Sequence, residues 1–454
     1  MKNEFNIKDL LGKFKKKEAP KADEAAASSE ANAGEQKAKK KGKQIFDKVG
    51  DLFNYEPQKE RVLRQEDFSA AGDVYYASIS AFYKVAERFL WLILAIFMVV
   101  SLVTNYREIT YNNFFYLIRD FSTAAESQSS NYQILSYDSD SRQKFALYRG
   151  GLVCASPSTV SIFTAGGRRT LKNNNDYYSP NVVCCDKYVL VYDTAGSAFS
   201  VYNSFSKIYN EKLESPITDA CFDNDGSFAL ATRKNDGKTV VYLYDKNVKL
   251  RGEIPDTRFM FDMALNSGND RFASLCYEEG IGVGVTSLTL YNIGSSKSAG
   301  VIGEVELEGE FPLRCAFLDG GELAVITNRS IRIYDKKLKE KDALEFGEVS
   351  VTAFDASEKG AAVAINGETR KRVIAFDKNA KLVYNDEVAD NVSDVSVYDK
   401  FVFIQTGSGV VRLDGQSKNS EHLPCENGRL LIYSEDTAIV CGEAKAQYLV
   451  FGKK

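Results

Sequence analysis

One histidine, His422, and one tryptophan, Trp91, are all that 454 residues contain of either type. Imidazole is the side chain whose ordinary titration falls near neutral pH, so acid–base chemistry of the usual kind has almost no carrier here. His422 itself lies in a polar stretch, Asn419-Ser-Glu-His-Leu423, and reads as a solvated surface residue. No Cys-x-x-Cys pair occurs, which removes the common zinc-binding spacing. No cysteine precedes Cys154; all eight fall in the C-terminal two-thirds. Only one long hydrophobic run exists, and no recognisable catalytic constellation. Carboxylate pairs for a glycosidase-like reaction are present in number, but no spacing singles one out. Gly280-Ile-Gly-Val-Gly284 precedes a strand rather than a helix, so it reads as an inter-strand loop and not as a phosphate cradle.

The hydrophobic run is Phe89 to Tyr106, uncharged throughout and bounded by Arg88 and Arg107. At the helical rise it spans roughly 27 Å, close to a bilayer's hydrocarbon core. Trp91 and Tyr106 stand near its ends, where amphipathic rings favour the interface. It begins too far from the N-terminus for a cleaved signal peptide and reads as an uncleaved anchor. The net charge of −4 divides across it: basic residues are in excess before it, acidic residues after it. Lys84, Arg88 and the lysine-rich tail would hold the N-terminus in the cytoplasm. The expected plan is therefore a basic tail over 1–73, a juxtamembrane and transmembrane helix over 74–106, a stalk helix and linker over 107–131, and an extracellular domain over 132–454.

Within the tail, residues 19–44 are Ala, Glu, Lys, Ser and Gly, a composition that cannot offset its ordering entropy and predicts disorder. Phe5, Ile7, Leu10, Leu11 and Phe14, and again Ile45, Phe46, Val49, Leu52 and Phe53, recur at helical spacing beside lysines. Such segments suit contact with an anionic leaflet or a cytoplasmic partner, or they belong to a solvated tail that only fixes topology. Phe114, Phe115, Leu117, Ile118 and Phe121 form one helical face of the stalk.

The region after 132 is a repeat. Tyr244-Asp-Lys-Asn-Val-Lys-Leu250, Tyr334-Asp-Lys-Lys-Leu-Lys339 and Phe376-Asp-Lys-Asn-Ala-Lys-Leu382 are its clearest copies. Looser ones begin at Phe163, Tyr202, Tyr291 and Leu413, and the chain ends on Phe451-Gly-Lys-Lys454. The period is that of a four-stranded propeller blade, about 40–45 residues. A second turn, as in Phe222-Asp-Asn-Asp-Gly226, separates apolar runs of strand length upstream. The last copy stops after its third strand, Tyr448–Phe451, and one orphan strand, Tyr132–Tyr137, precedes the first. Supplying the orphan to the last blade removes an open edge. The expectation is an all-β, eight-bladed β-propeller, with seven blades as the alternative. The cysteines lie in apolar strands (Leu-Val-Cys154, Ser-Leu-Cys276, Ile-Val-Cys441), where free thiols act as small hydrophobes; disulfides are the other reading.

This pattern resembles the broad WD40-like and PQQ-like superfamily, although no Trp-Asp dipeptide occurs. With its lysine-rich tail, single run at 89–106, aromatic segment at 111–121 and propeller after 132, the chain is similar to an uncharacterised domain-of-unknown-function family of clostridial, Gram-positive membrane proteins. The resemblance implies a cell-membrane location and transfers no catalytic residue. Quinoprotein dehydrogenases, the enzymes nearest in that superfamily, stack their cofactor on tryptophan; the only one here lies in the apolar run, so no quinone cofactor is expected.

Aligning the innermost strands places Asp219, Asp262, Arg314, Asp394 and Arg429 at matching positions, with Val182 and Val351 at two others. Two readings stand: a polar ligand or peptide site at the channel mouth, or ion pairs that tie blade to blade. Tyr177, Tyr178, Arg258 and Phe259 fall between blades on the same face, and aromatic and Arg residues there suit protein recognition. The functional expectation is a non-enzymatic, cofactor-free interaction or scaffold module at the cell envelope, bound to an envelope protein or glycan. A sensor relaying ectodomain binding to the tail, and a carboxylate-dependent hydrolase, are alternatives. The acidic large domain argues against nucleic acid.

Overall fold

The computed structural model describes residues 70–104 and 134–452, apart from 141, 280–281, 295–298 and 368–369. The expectations for the tail over 1–69 and for the segment 111–121 lie outside the described residues. Two compact units divide at residue 109.

In the first unit, one helix, α1 (Ala70–Thr104), passes through Gly72 without a break. From Phe89 to Val100 its side chains are exposed and almost wholly apolar. Among the described residues no helix is long and apolar enough to cross a membrane. Residues 105–106 of the expected span lie outside the described residues.

In the second unit, eight antiparallel four-stranded sheets follow one another. Blades 1 to 7 begin with inner strands Lys144–Tyr148, Pro180–Cys184, Ile217–Phe222, Phe259–Leu265, Pro312–Phe317, Ser350–Ser357 and Val392–Tyr398. Blade 8 begins with Arg429–Ser434 and takes its fourth strand from the start of the domain: Ile134–Ser136 pairs antiparallel with Lys445–Gln447. Neighbouring inner strands touch all the way round, including the first with the last, so the ring is closed. This is the eight-bladed propeller and the terminal clasp that the repeat spacing implies.

The core is eight separate layers, one in each space between blades. Each blade is thus buried on both faces, which explains why second strands such as Phe228–Arg233, buried up to its last residue, and Leu323–Thr327 show no alternation. Outer strands alternate because water reaches them, as in Lys207–Lys212. The repeated Asp turn links third and fourth strands. Asp245 Oδ1 accepts from the backbone N–H groups of Asn247 (2.8 Å) and Lys249 (2.9 Å), and Asp335 and Asp377 repeat the pattern. The residue before the last lysine is left-handed in all three copies, Val248, Leu338 and Ala380. The Asp side chain supplies the local bonds that hold this conformation.

The antiparallel order fixes two faces. Inner strands begin, and blades connect, on what is here termed the upper face. The hairpins between strands one and two and, in blades 1 to 7, between strands three and four turn on the lower face. All eight cysteines are free.

Candidate functional site

A bulge recurs in the inner strands of blades 3 to 7, at Thr218, Phe261, Leu313, Thr352 and Ser393. An extra residue there re-aims the one that follows. In four blades that next residue is charged: Asp219, Asp262, Arg314 and Asp394. In blade 6 it is Ala353, not Val351, which precedes the bulge; the blade's charge, Asp355, lies two residues further on.

Geometry then pairs these residues across blade boundaries. Asp262 Oδ1 accepts from Arg314 Nη1 at 3.1 Å, and its Oδ2 from the backbone N–H of Cys315 at 2.6 Å. Asp394 repeats this in blades 7 and 8, accepting from Arg429 Nη1 at 3.2 Å and the Leu430 N–H at 3.0 Å. Both carboxylates are buried, whereas Arg314 and Arg429 keep 47% and 52% of their side-chain surface open. Asp355 accepts from Ser396 Oγ at 2.6 Å. The belt is therefore a set of ties between adjacent blades.

Asp219 differs. Its Oδ1 accepts from Tyr192 of blade 2 at 3.3 Å, but its Oδ2 is shielded and has no partner among the described residues. Burial first, then the Asp262 carboxylate, push its carboxyl up to about 7 against the pull of Arg314. The unfolded chain releases that proton near pH 4. Between these values the folded chain retains a proton the unfolded chain has lost, so stability falls as pH rises through the window. Asp219→Asn should remove this slope. Denaturant unfolding should find the variant equal to the parent near pH 4 and more stable above pH 7, by on the order of 4 kcal/mol.

The interblade residues have separate fates. Tyr177 bonds Ser200 Oγ at 2.7 Å and packs into the layer between blades 1 and 2. Arg258 is held by Asp256 at 3.0 Å and by Glu304. Tyr178 is 79% exposed, with the Arg142 guanidinium over its ring. Phe259 opens the inner strand of blade 4 and joins a cluster that sequence reading missed. Phe259 meets Phe261 edge-on at 4.9 Å, Phe261 meets Phe311 at 4.7 Å, and Phe311 meets Tyr277 at 5.1 Å. The Arg233 guanidinium lies 4.5 Å from the Phe259 ring. Gly284 lets the Tyr277 ring lie close, since a Cβ there would stand 1.9 Å from its hydroxyl. Phe261 is the bulge residue, which separates it from the ladder. The cluster occupies the upper face beside the Asp262–Arg314 tie.

Below the belt lies a cavity of about 730 Å³, with Cys184, Cys221, Met263, Cys315 and Ala356 among its walls. Burial pushes these three thiols well up, so they are poor nucleophiles. At the lower mouth Asn224 Nδ2 of blade 3 donates to Glu358 Oε2 of blade 6 at 2.6 Å, bridging non-adjacent blades. Among the described residues no group of three or more His, Cys, Asp or Glu is placed to hold a metal ion.

Fold and site together define an eight-bladed β-propeller whose channel charges, Asp219 apart, are engaged in ties and whose upper face carries a partly exposed aromatic cluster. The chain belongs to a family of unknown function, DUF5711, whose model matches residues 123–439. Its fold is similar to that of Saccharomyces cerevisiae Sqt1, at 10% identity and a TM-score of 0.51, covering 71% of this chain and 98% of that one. BamB from Moraxella catarrhalis is also similar, at 11% identity and a TM-score of 0.48, covering 70% of this chain and 99% of that one. No curated protein matches the sequence.

Proposed function

We propose that this protein is a membrane-anchored, non-enzymatic propeller that presents its upper face to a protein partner at a Gram-positive cell envelope. The observation that carries the reading is the aromatic cluster of Phe259, Phe261, Tyr277 and Phe311, with Arg233 stacked at its edge. Aromatic and Arg side chains grouped in a well-packed patch are the usual anchors of protein interfaces. Support for the anchor comes from the uncharged run 89–106 and from the exposed apolar side chains of α1. A hydrolase draws little support from the channel, because Asp262 and Asp394 are already bonded to an arginine and a backbone N–H.

A photo-crosslinking residue placed at Phe311 in intact cells should capture a discrete protein. The Phe259→Ser, Phe261→Ser double variant should lose that adduct while its melting transition stays cooperative. The same adduct at parental yield from the double variant sinks the reading.

A further inference from the structure

Exposed apolar residues recur at one place on the lower rim. Ile208, Leu250, Val301 and Leu382 are 40%, 50%, 62% and 38% exposed, and each stands at or next to the start of an outer strand. In three of the four blades an exposed lysine comes immediately before: Lys207, Lys249 and Lys381. Lys336, Lys337 and Lys339 extend the same rim through blade 5. Lys249, Lys339 and Lys381 enter no ion pair among the described residues. The acidic members of these turns, Asp245, Asp335 and Asp377, direct Oδ1 to the turn's own backbone N–H groups. The rim thus presents a row of exposed lysines, three of them directly beside an exposed aliphatic side chain, on a domain that is acidic as a whole.

We infer that this lower rim docks on the surface of an anionic phospholipid bilayer, the one that anchors the chain; the inference rests on the anchoring read above. A protein-binding hot spot is contiguous and aromatic, as on the upper face. Exposed Ile, Leu and Val residues spaced around an arc, three of the four preceded by lysine, instead suit the headgroup boundary, where the ammonium meets phosphate and the aliphatic end enters the acyl region. The hairpins nearest the channel mix acidic residues such as Asp225 and Asp270 with Lys187 and Lys359, and no Ile, Leu or Val is exposed at their tips. Contact is therefore by the outer rim of blades 2 to 6 and not by the centre of the face. The chain also enters the ring from this side. Strand Ile134–Ser136 runs upward against Lys445–Val450, which descends from the upper face, so the first described strand of the domain starts at the lower face.

The test uses the full chain, with Trp91→Phe to clear the background and Leu250→Trp as a probe, reconstituted in phosphatidylcholine vesicles with and without one-third phosphatidylglycerol. Brominated phosphatidylglycerol should quench the probe's emission. Lys207→Glu with Lys249→Glu, or molar salt, should abolish the quenching while the chain still floats with the vesicles. A Tyr178→Trp probe on the upper face should stay unquenched. A chain that floats but leaves the Leu250→Trp probe unquenched overturns docking and spares the anchor. A chain that does not float with neutral vesicles overturns the anchor. Docking is then read on added phosphatidylglycerol vesicles, where lack of quenching overturns it as well.

Discussion

Leu135→Asp is expected to open the ring. Leu135 is 3% exposed and lies in the layer between blades 8 and 1, against Leu152, Cys154, Phe163, Ile439 and Tyr448. The closing strand is only three residues long, and its ladder is extended by the Tyr137 N–H to Ala444 O (3.1 Å) and the Tyr137 hydroxyl to Gly442 O (2.7 Å). A carboxylate at 135 has no cation within that layer, and burying it costs more than so short a strand can return. The strand then detaches, and Lys445–Val450 becomes an unpaired edge, the kind of surface that pairs with other chains. Leu135→Ala, which only leaves a cavity, should cost about 2–4 kcal/mol. Denaturant unfolding should show a lower midpoint for Leu135→Ala. Leu135→Asp should show a broadened transition and concentration-dependent association by light scattering. Parental stability for Leu135→Asp would mean that closure does not depend on this strand.

The second large effect concerns the ties in the channel. Asp262→Ala removes the carboxylate from both Arg314 and the buried Cys315 N–H, and Asp394→Ala does the same to Arg429 and Leu430. Each should destabilise the domain by about 2–4 kcal/mol, since an orphaned buried donor adds its desolvation cost to the lost bonds. Arg314→Ala should be comparably harmful, because it strands Asp262 in the wall with a single backbone bond. The double variant Asp262→Ala, Arg314→Ala should cost less than the sum, as expected for two members of one pair. Capture of a partner through Phe311 should persist in the folded variants. Unchanged stability with lost capture would make the belt a ligand site instead.

These two predictions divide along the line between what local sequence records and what assembly creates. The clasp was legible because it follows from counting: seven complete four-stranded copies, a last copy short by one strand, and one orphan strand before the first. The channel belt was half legible. Residue type and strand position marked Asp219, Asp262, Arg314, Asp394 and Arg429, but whether they bind a ligand or each other depends on which neighbour each one faces. The bulge hid the rest. It re-aims the residue after it, which no linear pattern records, and in blade 6 Val351 was aligned where Ala353 stands, so that Asp355 was passed over. The aromatic cluster was illegible for a different reason. Phe259, Phe261, Tyr277 and Phe311 come from two strands and an interblade connection, and no linear pattern joins them.

The sequence by itself determined the period, the turns and the count of blades. Asp245, Asp335 and Asp377 hold their turns through bonds to residues two and four positions away, and two-sided burial forces the middle strands to be apolar throughout. Tertiary structure alone decided which charges are satisfied and which aromatic rings meet. Those outcomes depend on side chains brought together across the gaps between sheets, where separation in space is unrelated to separation along the chain.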